Sequence, residues 1–203
     1  MMNIIFDMDG TLIDSKLRLY QLFQDLVPSS RLSFEQYWSF KKNKISNEMI
    51  LANQLGFEKD AIDCFLKNWM CLIETPPYLE LDTNFNGMHD TLSRLIGQAE
   101  LHVCTARQLI QPVLDQLQHF DLLHFFNKIL VTEQQISKEQ LIGKQIPNLN
   151  DHDWILGDTG KDIQVGKSLN LKTCAVLSGF LNCEMLSAYE PDIIINSAVH
   201  FSL

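Results

Sequence analysis

Residues 4–12 read IIFDMDGTL, an apolar run that ends on two carboxylates and a glycine. A short apolar run bounded by turn residues is typical of a buried strand. A carboxylate beside such a strand is costly to bury unless it meets a charged partner, such as a metal ion or a phosphate. Because residues two apart on a strand face the same side, we expect Asp7 and Asp9 to converge while Met8 packs away from them. The stretch therefore predicts an active site at the end of the first strand.

Gly10 follows the two acids and lets the backbone leave the strand in a conformation that other residues resist. We expect it to bring main-chain N–H groups close to an anion. The alternative is a strand followed by an ordinary Asp-Gly turn, which the dipeptide alone would favour. The full string Asp-x-Asp-Gly-Thr-Leu after a hydrophobic strand is more specific, and it favours the functional interpretation.

Further apolar runs predict a parallel sheet. Together with the first strand, the predicted strands lie at residues 3–7, 101–105, 128–131, 154–158 and 173–177, with an edge strand at 192–195. Helical patterns separate the later strands, so the chain is expected to form an α/β fold with a doubly wound, Rossmann-like sheet. Ligands bind such sheets at the carboxyl ends of the strands, where Asp7, Thr105 and Asp158 are expected to meet.

Residues 16–80 interrupt this alternation with helical signals only. Leu17, Tyr20 and Phe23 recur at helical spacing and predict the buried face of a first helix. A capping box at 33–36 predicts a second helix from residue 34 onward. Two further helical patterns follow at 47–55 and 59–74, and a pair of prolines stands at 76–77. The prolines are expected to close the bundle, because neither can continue a helix. The pattern predicts an α-helical domain of residues 16–80, inserted in a core of residues 1–15 and 81–203.

Composition and charge restrict the class of partner. The chain has 203 residues, of which 46% are hydrophobic and 20% are charged, as in ordinary soluble globular proteins. Its net charge is −9, and its 16 basic residues are scattered, so it offers no footprint for nucleic acid. Such a chain repels an anionic substrate, and the site must therefore carry its own positive charge.

Cysteine usage and the N-terminus indicate the compartment. The 5 cysteines are odd in number and form no C-x-x-C pair, which favours buried reduced thiols over disulfides or a zinc site. The first predicted strand begins at Asn3 and leaves no room for a signal peptide, and no apolar run approaches the ~20 residues of a membrane span. We expect a cytoplasmic protein without membrane contact. The oligomeric state stays open.

The two acids of the first strand suit phosphoryl transfer, which needs a nucleophile, an acid for the leaving group and cations that screen the phosphate. Asp7 is the predicted nucleophile and would form an aspartyl-phosphate. Asp9 is placed to protonate the leaving alkoxide and then to activate water. Mg²⁺ is the expected ion, because an all-oxygen site with few carboxylates and several waters suits its octahedral geometry.

The string Asp-x-Asp-Gly-Thr-Leu resembles the first motif of the haloacid dehalogenase superfamily. Residues 157–162 read GDTGKD and are similar to the Gly-Asp-x-x-x-Asp motif that holds the metal in that superfamily. The resemblance implies that Asp158 is a direct metal ligand, together with Asp7 and the main-chain carbonyl of Asp9. It also implies that Asp162 is a supporting carboxylate. From the residues alone, an Asp-rich helix start is the alternative.

Two further motifs of the superfamily have candidates. Thr105 matches the second, in which a hydroxyl at a strand end binds the phosphate, and we place Ala106 beside it in the phosphate site. From the residues alone, a threonine there would more often cap a helix. For the third-motif lysine, a capping box places Lys138 in a first helical turn near the carboxyl end of the sheet. We choose it over Lys128 and over Lys144, which lies roughly 9 Å further along the helix.

Other cations are weaker candidates for substrate contact. A run of lysines near a helix end, such as Lys41, Lys42 and Lys44, is more often a solvated face. Arg107 and Lys161 lie beside motif residues and are candidates to contact a phosphate or a substrate carboxylate. The 6 histidines show no metal-ligand spacing, and we assign them no role.

The helical insertion between the first and second motifs resembles the small cap of phosphoglycolate phosphatase-like and β-phosphoglucomutase-like members. In this resemblance, the cap closes over the site and selects the substrate. The expected function is a Mg²⁺-dependent phosphatase that acts on a small phosphorylated metabolite through an aspartyl-phosphate. Two alternatives stay open: a phosphomutase, which needs the same acids but protects the phospho-enzyme from water, and a non-catalytic binding module that retains the fold.

Overall fold

The computed structural model of the protein describes residues 2–203 and has a parallel β-sheet at its centre. The strands are β1 (Met2–Phe6), β2 (Ile13–Asp14), β3 (Thr83–Asn84), β4 (Ala99–Thr105), β5 (Lys128–Val131), β6 (Trp154–Gly157), β7 (Lys172–Val176) and β8 (Ile193–Ile195). Six of them form the main sheet in the order β5-β4-β1-β6-β7-β8, and every neighbouring pair in it is parallel. The predicted α/β sheet is confirmed, with β8 at its edge.

The helices are α1 (Lys16–Leu26), α2 (Phe34–Lys42), α3 (Asn47–Leu55), α4 (Lys59–Leu72), α5 (Pro76–Leu79), α6 (Met88–Leu95), α7 (Ile110–His119), α8 (Lys138–Gln145), α9 (Gly160–Ser168) and α10 (Cys183–Ser187). None of the helices formed by residues 2–203 has both the length and the apolar character needed to cross a membrane.

Helices cover both faces of the sheet. Side chains alternate between these faces along each strand, so each strand contributes to two cores. Ile4 and Phe6 of β1 join a core with Leu92 of α6 and Leu117 of α7. Ile5 joins a different core, with α8 and α9. This two-sided burial is the doubly wound arrangement that the near-continuous apolar strands predict.

The first strand lies at the middle of the sheet and pairs with β4 on one side and β6 on the other. Phe6 is in register with Val103 and with Leu156, so all three strands end at about the same level. The residues that follow these strands therefore emerge side by side at one edge of the sheet, where the loops of an open α/β fold form a crevice.

The helices α1–α5, residues 16–79, form what we call the helical segment. They pack around their own apolar cluster, which includes Leu22, Tyr37, Ile50 and Phe65. The two connections to the rest of the chain run side by side as β2 and β3, which pair antiparallel. Phe180, which lies outside the helical segment, packs against this cluster, with its ring centroid 5.4 Å from that of Trp38.

Three details of the predicted helices are wrong. Leu17 is 48% exposed, and the buried face of α1 instead carries Arg18, Leu19, Leu22 and Phe23. The fourth helix ends at Leu72 rather than at 74. The proline pair does not close the bundle but opens α5, since proline is tolerated in the first turn of a helix.

All five cysteines are free thiols, as expected, but only Cys104 and Cys174 are buried. Burial raises the pKa of each of these two thiols to about 12, so they are protonated and unreactive at neutral pH. The expectation of burial is wrong for Cys64, Cys71 and Cys183, which are exposed.

Candidate active site

The polar residues predicted at the strand ends line one cavity of about 250 Å³. Asp7 follows β1, Thr105 ends β4, Asp158 follows β6, and Lys138 is the first residue of α8. Parallel strands that end at one level bring these side chains together although they are far apart in sequence. The helical segment contributes Arg18, Leu19, Ile73 and Glu74 to the lining of the same cavity.

Three carboxylates crowd one side of this cavity. Asp7, Asp158 and Asp162 each offer an oxygen, and these oxygens all lie within 4.8 Å of one another. All three residues are buried. Burial, followed by the charges of Asp7 and Asp162, raises the pKa of Asp158 well above its usual value. Such a cluster is short of positive charge.

Asp158 shows most directly that a cation fits this cluster. Its Oδ2 accepts a hydrogen bond from the Phe180 N–H at 2.6 Å, whereas its buried Oδ1 has no hydrogen-bond partner among residues 2–203. A buried carboxylate oxygen without a partner is costly, and a bound cation satisfies it. Because the donors are all carboxylate oxygens, the site suits a hard divalent ion such as Mg²⁺ better than a soft transition metal.

Lys138 is the cation that the described structure places within this cluster. Its Nζ donates to Asp7 Oδ1 at 2.6 Å and to Asp162 Oδ1 at 2.6 Å. Although burial favours the neutral amine, the charges of Asp162 and Asp7 raise the pKa of Lys138 above its usual value, so it stays protonated. Burial raises the pKa of Asp7 to about 7, even though Lys138 acts in the opposite direction.

The local sequence explains why Lys138 rather than its neighbours reaches the acids. The Ser137 hydroxyl caps α8 by accepting from the Gln140 N–H at 3.2 Å, as the capping box predicts. Helix α8 therefore begins at Lys138, next to the strand ends. The other two candidates lie elsewhere: the Lys128 ammonium donates to the Gln145 carbonyl, and Lys144 is exposed.

Asp162 is fixed by the start of α9. Its Oδ2 accepts from the Thr159 N–H at 3.3 Å and from the Thr159 hydroxyl at 2.6 Å. Its Oδ1 faces Lys138. A carboxylate in the first turn of a helix also benefits from the helix dipole. Asp162 thus caps its own helix and holds Lys138, which fits the supporting role expected for it.

Gly10 follows the two acids of the first motif and lies against Asp158. Its own N–H donates to the Ile13 carbonyl at 2.8 Å, and the expectation that main-chain N–H groups of this turn approach an anion stays a prediction. The glycine is needed for space and for its left-handed backbone, with φ of +79°. A Cβ at this position would lie 2.5 Å from Asp158 Oδ2, closer than real Cβ contacts.

Thr105 and Ala106 line the cavity next to Asp7. Thr105 is buried at the end of β4, and the Ala106 carbonyl accepts from the Gln134 side chain at 2.7 Å. The Ala106 N–H donates to no acceptor within residues 2–203. Both residues therefore share a cavity with Asp7, and their role in binding phosphate stays a prediction.

Asp9 is held by two arginines. Arg107 forms a bidentate pair with it, through Nε to Oδ2 at 2.5 Å and Nη2 to Oδ1 at 2.8 Å. Arg18, from the helical segment, pairs with Asp9 Oδ1 as well. Burial alone would raise the pKa of Asp9, but Arg107 and Arg18 outweigh it and hold this pKa well below its usual range. Asp9 is therefore ionised in this arrangement.

Asp82 completes the network behind Asp9. Its side chain is fully buried and forms ion pairs with Arg18 at 3.2 Å and with Arg107 at 3.5 Å. Gln116 donates to Asp82 Oδ2 at 2.8 Å. Arg18 and Asp82 were not predicted from the sequence, and Arg107 was predicted only as a candidate contact for a phosphate or a substrate carboxylate. The sequence contains one signal for Arg18: it lies four residues before Leu22 and therefore on the same face of α1.

Comparison with known proteins agrees with this architecture. Residues 4–176 match the family model described as haloacid dehalogenase-like hydrolase. The chain is also similar to phosphoglycolate phosphatase from Aquifex aeolicus (strain VF5), with 24% identity over 209 residues that cover 95% of this chain and 91% of that protein.

Solved structures show the same fold. A haloacid dehalogenase-like family hydrolase from Streptococcus pneumoniae superposes with a TM-score of 0.79 at 20% identity, covering 98% of this chain and 95% of that one. A protein from Haemophilus somnus 129PT, described as a predicted phosphoglycolate phosphatase, has a TM-score of 0.71 at 18% identity, covering 97% and 94%. The resemblance seen in the sequence motifs is confirmed, and the chain belongs to the haloacid dehalogenase-like hydrolase family.

Proposed function

We propose that this hydrolase is a Mg²⁺-dependent phosphatase that cleaves a small phosphorylated metabolite through an aspartyl-phosphate on Asp7. The observation that carries the proposal is the cluster of Asp7, Asp158 and Asp162, whose carboxylate oxygens lie within 4.8 Å of one another around Lys138. The similarity to the phosphoglycolate phosphatase of Aquifex aeolicus supports cleavage of a phosphate ester.

The first step transfers the phosphoryl group to the protein. Lys138 occupies Asp7 Oδ1, which leaves Asp7 Oδ2 to attack the phosphorus. A bond forms between this oxygen and phosphorus, and the bond from phosphorus to the ester oxygen breaks with its electron pair on that oxygen. The leaving oxygen takes a proton from Asp9, which gives an alcohol and the aspartyl-phosphate.

The second step returns the protein to its starting state. Asp9 accepts a proton from a water molecule as the water oxygen attacks the phosphorus. The bond between phosphorus and Asp7 breaks, and inorganic phosphate leaves. The Lys138 ammonium offsets the negative charge that phosphate brings to the buried carboxylate, and the Thr105 hydroxyl is placed to donate to a phosphate oxygen.

The ionised state of Asp9 suits the second step but not the first, in which Asp9 gives up a proton. We infer that the substrate draws guanidinium contacts away from Asp9, because phosphate and carboxylate groups compete for arginine. Arg18 and Arg107 both line the cavity and are within reach of such a ligand. Asp9 would then take up a proton more readily.

The metal would be held by Asp7 and Asp158, together with the main-chain carbonyl of Asp9, and Asp162 would support it. When bound, Mg²⁺ supplies positive charge that screens the phosphate from the attacking carboxylate. The unpartnered Oδ1 of Asp158 supports this assignment.

We also propose that residues 16–80 act as a cap domain on a core of residues 1–15 and 81–203. Four residues of the helical segment line the cavity that contains Asp7. A cover of this kind excludes water from the reacting groups and strengthens the electrostatic contacts among them. Arg18 links this cover to the core through its ion pair with Asp9.

The test is release of inorganic phosphate from a panel of phosphate monoesters, with Mg²⁺ and with a chelator. We expect Mg²⁺-dependent release from at least one ester, and loss of it in Asp158→Asn but not in Asp63→Asn, a matched change at an exposed acid. Isomerisation of a sugar phosphate without phosphate release would identify a mutase instead. No reaction with any ester would favour a binding module.

A further inference from the structure

A second cavity lies between the helical segment and the core, beside the active-site cavity. Its volume is about 340 Å³. It shares Thr159, Lys161 and Phe180 with the cavity that contains Asp7. The two cavities are therefore neighbours, and Lys161 is placed to serve a ligand in either.

Lysines dominate the charge of this second cavity, which we call the lysine cavity. Lys41 and Lys44 line it from the helical segment, and Lys161 lines it from the first turn of α9. No lining residue is acidic. Within residues 2–203, the lysines that form ion pairs with carboxylates are Lys16, Lys138 and Lys167, so none of the three cavity lysines is neutralised in this way.

This absence of acids is informative in a chain of net charge −9, which has carboxylates in excess of cations. Like charges that line one cavity repel one another, and a bound anion removes the repulsion. An anion in a partly enclosed cavity also forms stronger contacts than it would on the open surface.

Neutral contacts hold two of the lysines in place. The Lys41 ammonium donates to Asn47 Oδ1 at 3.1 Å, and burial lowers the pKa of Lys41 to about 8. The Lys44 ammonium donates to the Tyr189 hydroxyl at 2.6 Å, across from the helical segment to the core. Tyr189 in turn packs on Gly160, where a Cβ would lie 2.0 Å from its ring. These contacts orient the ammonium groups without cancelling their charge.

We propose that the lysine cavity binds a second anionic group of the substrate, a carboxylate or a phosphate, at the end remote from the ester that Asp7 attacks. The inference rests on the proposed function and names its substrate class: a phosphate ester with a second acidic group. The shared wall formed by Thr159, Lys161 and Phe180 favours one molecule that spans both cavities.

The test compares matched pairs of esters at saturating Mg²⁺. Each pair shares a carbon skeleton, and one member has an extra acidic group: glucose 6-phosphate with 6-phosphogluconate, fructose 6-phosphate with fructose 1,6-bisphosphate, and glycerol 3-phosphate with 3-phosphoglycerate. We expect the best substrate of the panel to be a member with the extra group, with kcat/KM about tenfold above its partner, because one charge-assisted contact is worth about that factor.

Variants then assign the preference to the lysine cavity. In Lys41→Gln/Lys44→Gln, we expect KM for the preferred ester to rise about tenfold or more, while kcat/KM for its partner without the extra group stays within about twofold. The single variant Lys44→Arg keeps the positive charge and is expected to retain the preference for the ester with the extra acidic group. Lys42→Gln is the matched control, since Lys42 lies on the same helix but does not line the cavity.

The other outcomes are distinguishable. If the ester without the extra acidic group is as good a substrate as its partner in every pair, the inference is overturned. An unchanged KM for the preferred ester in the double variant would overturn it as well. Free malonate tests for a separate effector. If it alters wild-type turnover of the ester without the extra acidic group but does not compete with the ester that has it, the cavity binds an effector, and the assignment to substrate is wrong. Absence of hydrolysis across the whole panel would contradict the proposed phosphatase function itself.

Discussion

Lys138 Nζ lies 2.6 Å from Asp7 Oδ1, and the same ammonium lies 2.6 Å from Asp162 Oδ1. A single buried cation is thus shared between the proposed nucleophile and the acid that caps α9. One ammonium shared among three clustered acids leaves the cluster short of positive charge. This shortage of positive charge makes the site sensitive both to loss of Lys138 and to pH.

Lys138→Met is expected to lower kcat/KM about 100-fold to 1000-fold, which is the usual effect of removing one preorganised group that stabilises charge in the transition state. Steady-state phosphate release with Mg²⁺ measures it. Lys144→Met is the matched control, because Lys144 lies on the same helix and is exposed. Equal activity in the two variants would exclude Lys138 from the reaction.

The metal-free protein is expected to lose stability as pH rises through the acid cluster. The folded-state pKa of Asp7 is raised to about 7 from 3.8, chiefly by burial. Between these values the folded state binds more protons than the unfolded state. The contribution of Asp7 to stability is therefore complete below about pH 4 and is lost as pH rises to about 7.

Urea unfolding of the metal-free wild type and of Asp7→Asn across this pH range tests this pH dependence. We expect the free energy of unfolding of the wild type to fall relative to that of the variant as pH rises. Adding Mg²⁺ above pH 7 is expected to stabilise the wild type, because the ion binds the folded state. Parallel curves for the two proteins would contradict the raised pKa.

Asp82→Asn is expected to destabilise the protein by about 3 kcal/mol, because it removes a fully buried counter-ion shared by Arg18 and Arg107. Asp63→Asn makes the same chemical change at an exposed position of α4 and is expected to alter stability by no more than about 0.5 kcal/mol. Denaturant midpoints of the two variants give the comparison. If both changes cost equally little, the buried network behind Asp9 does not stabilise the fold.

The site residues that could be predicted from the sequence are those fixed by local signals. Asp7, Thr105 and Asp158 stand at the ends of apolar strands, so a parallel sheet must bring them together. Lys138 follows a capping serine, which sets the start of its helix. In each case a few neighbouring residues decide where the side chain lies.

Arg18 and Asp82 could not be predicted in this way. Their positions depend on how the helical segment docks on the core, and no short pattern encodes that docking. Helix α1 also has apolar residues on more than one side, so spacing alone placed the exposed Leu17 on the buried face. The sequence predicted the special backbone of Gly10, which has a φ of +79°, but not the close approach of Asp158 that also requires a glycine there.

Gly10→Ala is expected to abolish most Mg²⁺-dependent turnover, because the added Cβ would lie 2.5 Å from Asp158 Oδ2 and displace that carboxylate. Gly56→Ala is the control, since Gly56 also has a positive φ but has no heavy atom within 4 Å of the added Cβ. It should cost about 1–2 kcal/mol of stability from backbone strain and leave kcat/KM unchanged. Retained Mg²⁺ dependence in Gly10→Ala would contradict the placement of Asp158 at the metal.

In the proposed mechanism, Asp7 carries the phosphoryl group during turnover. The most direct measurement is acid quenching of the wild type during turnover of the best ester with Mg²⁺, followed by mass spectrometry of the peptide that contains residues 4–12. We expect a phosphoryl group on Asp7 in the wild type and neither the adduct nor turnover in Asp7→Asn. Phosphate release by Asp7→Asn at the wild-type rate, or a phosphoryl group on another residue, would contradict it.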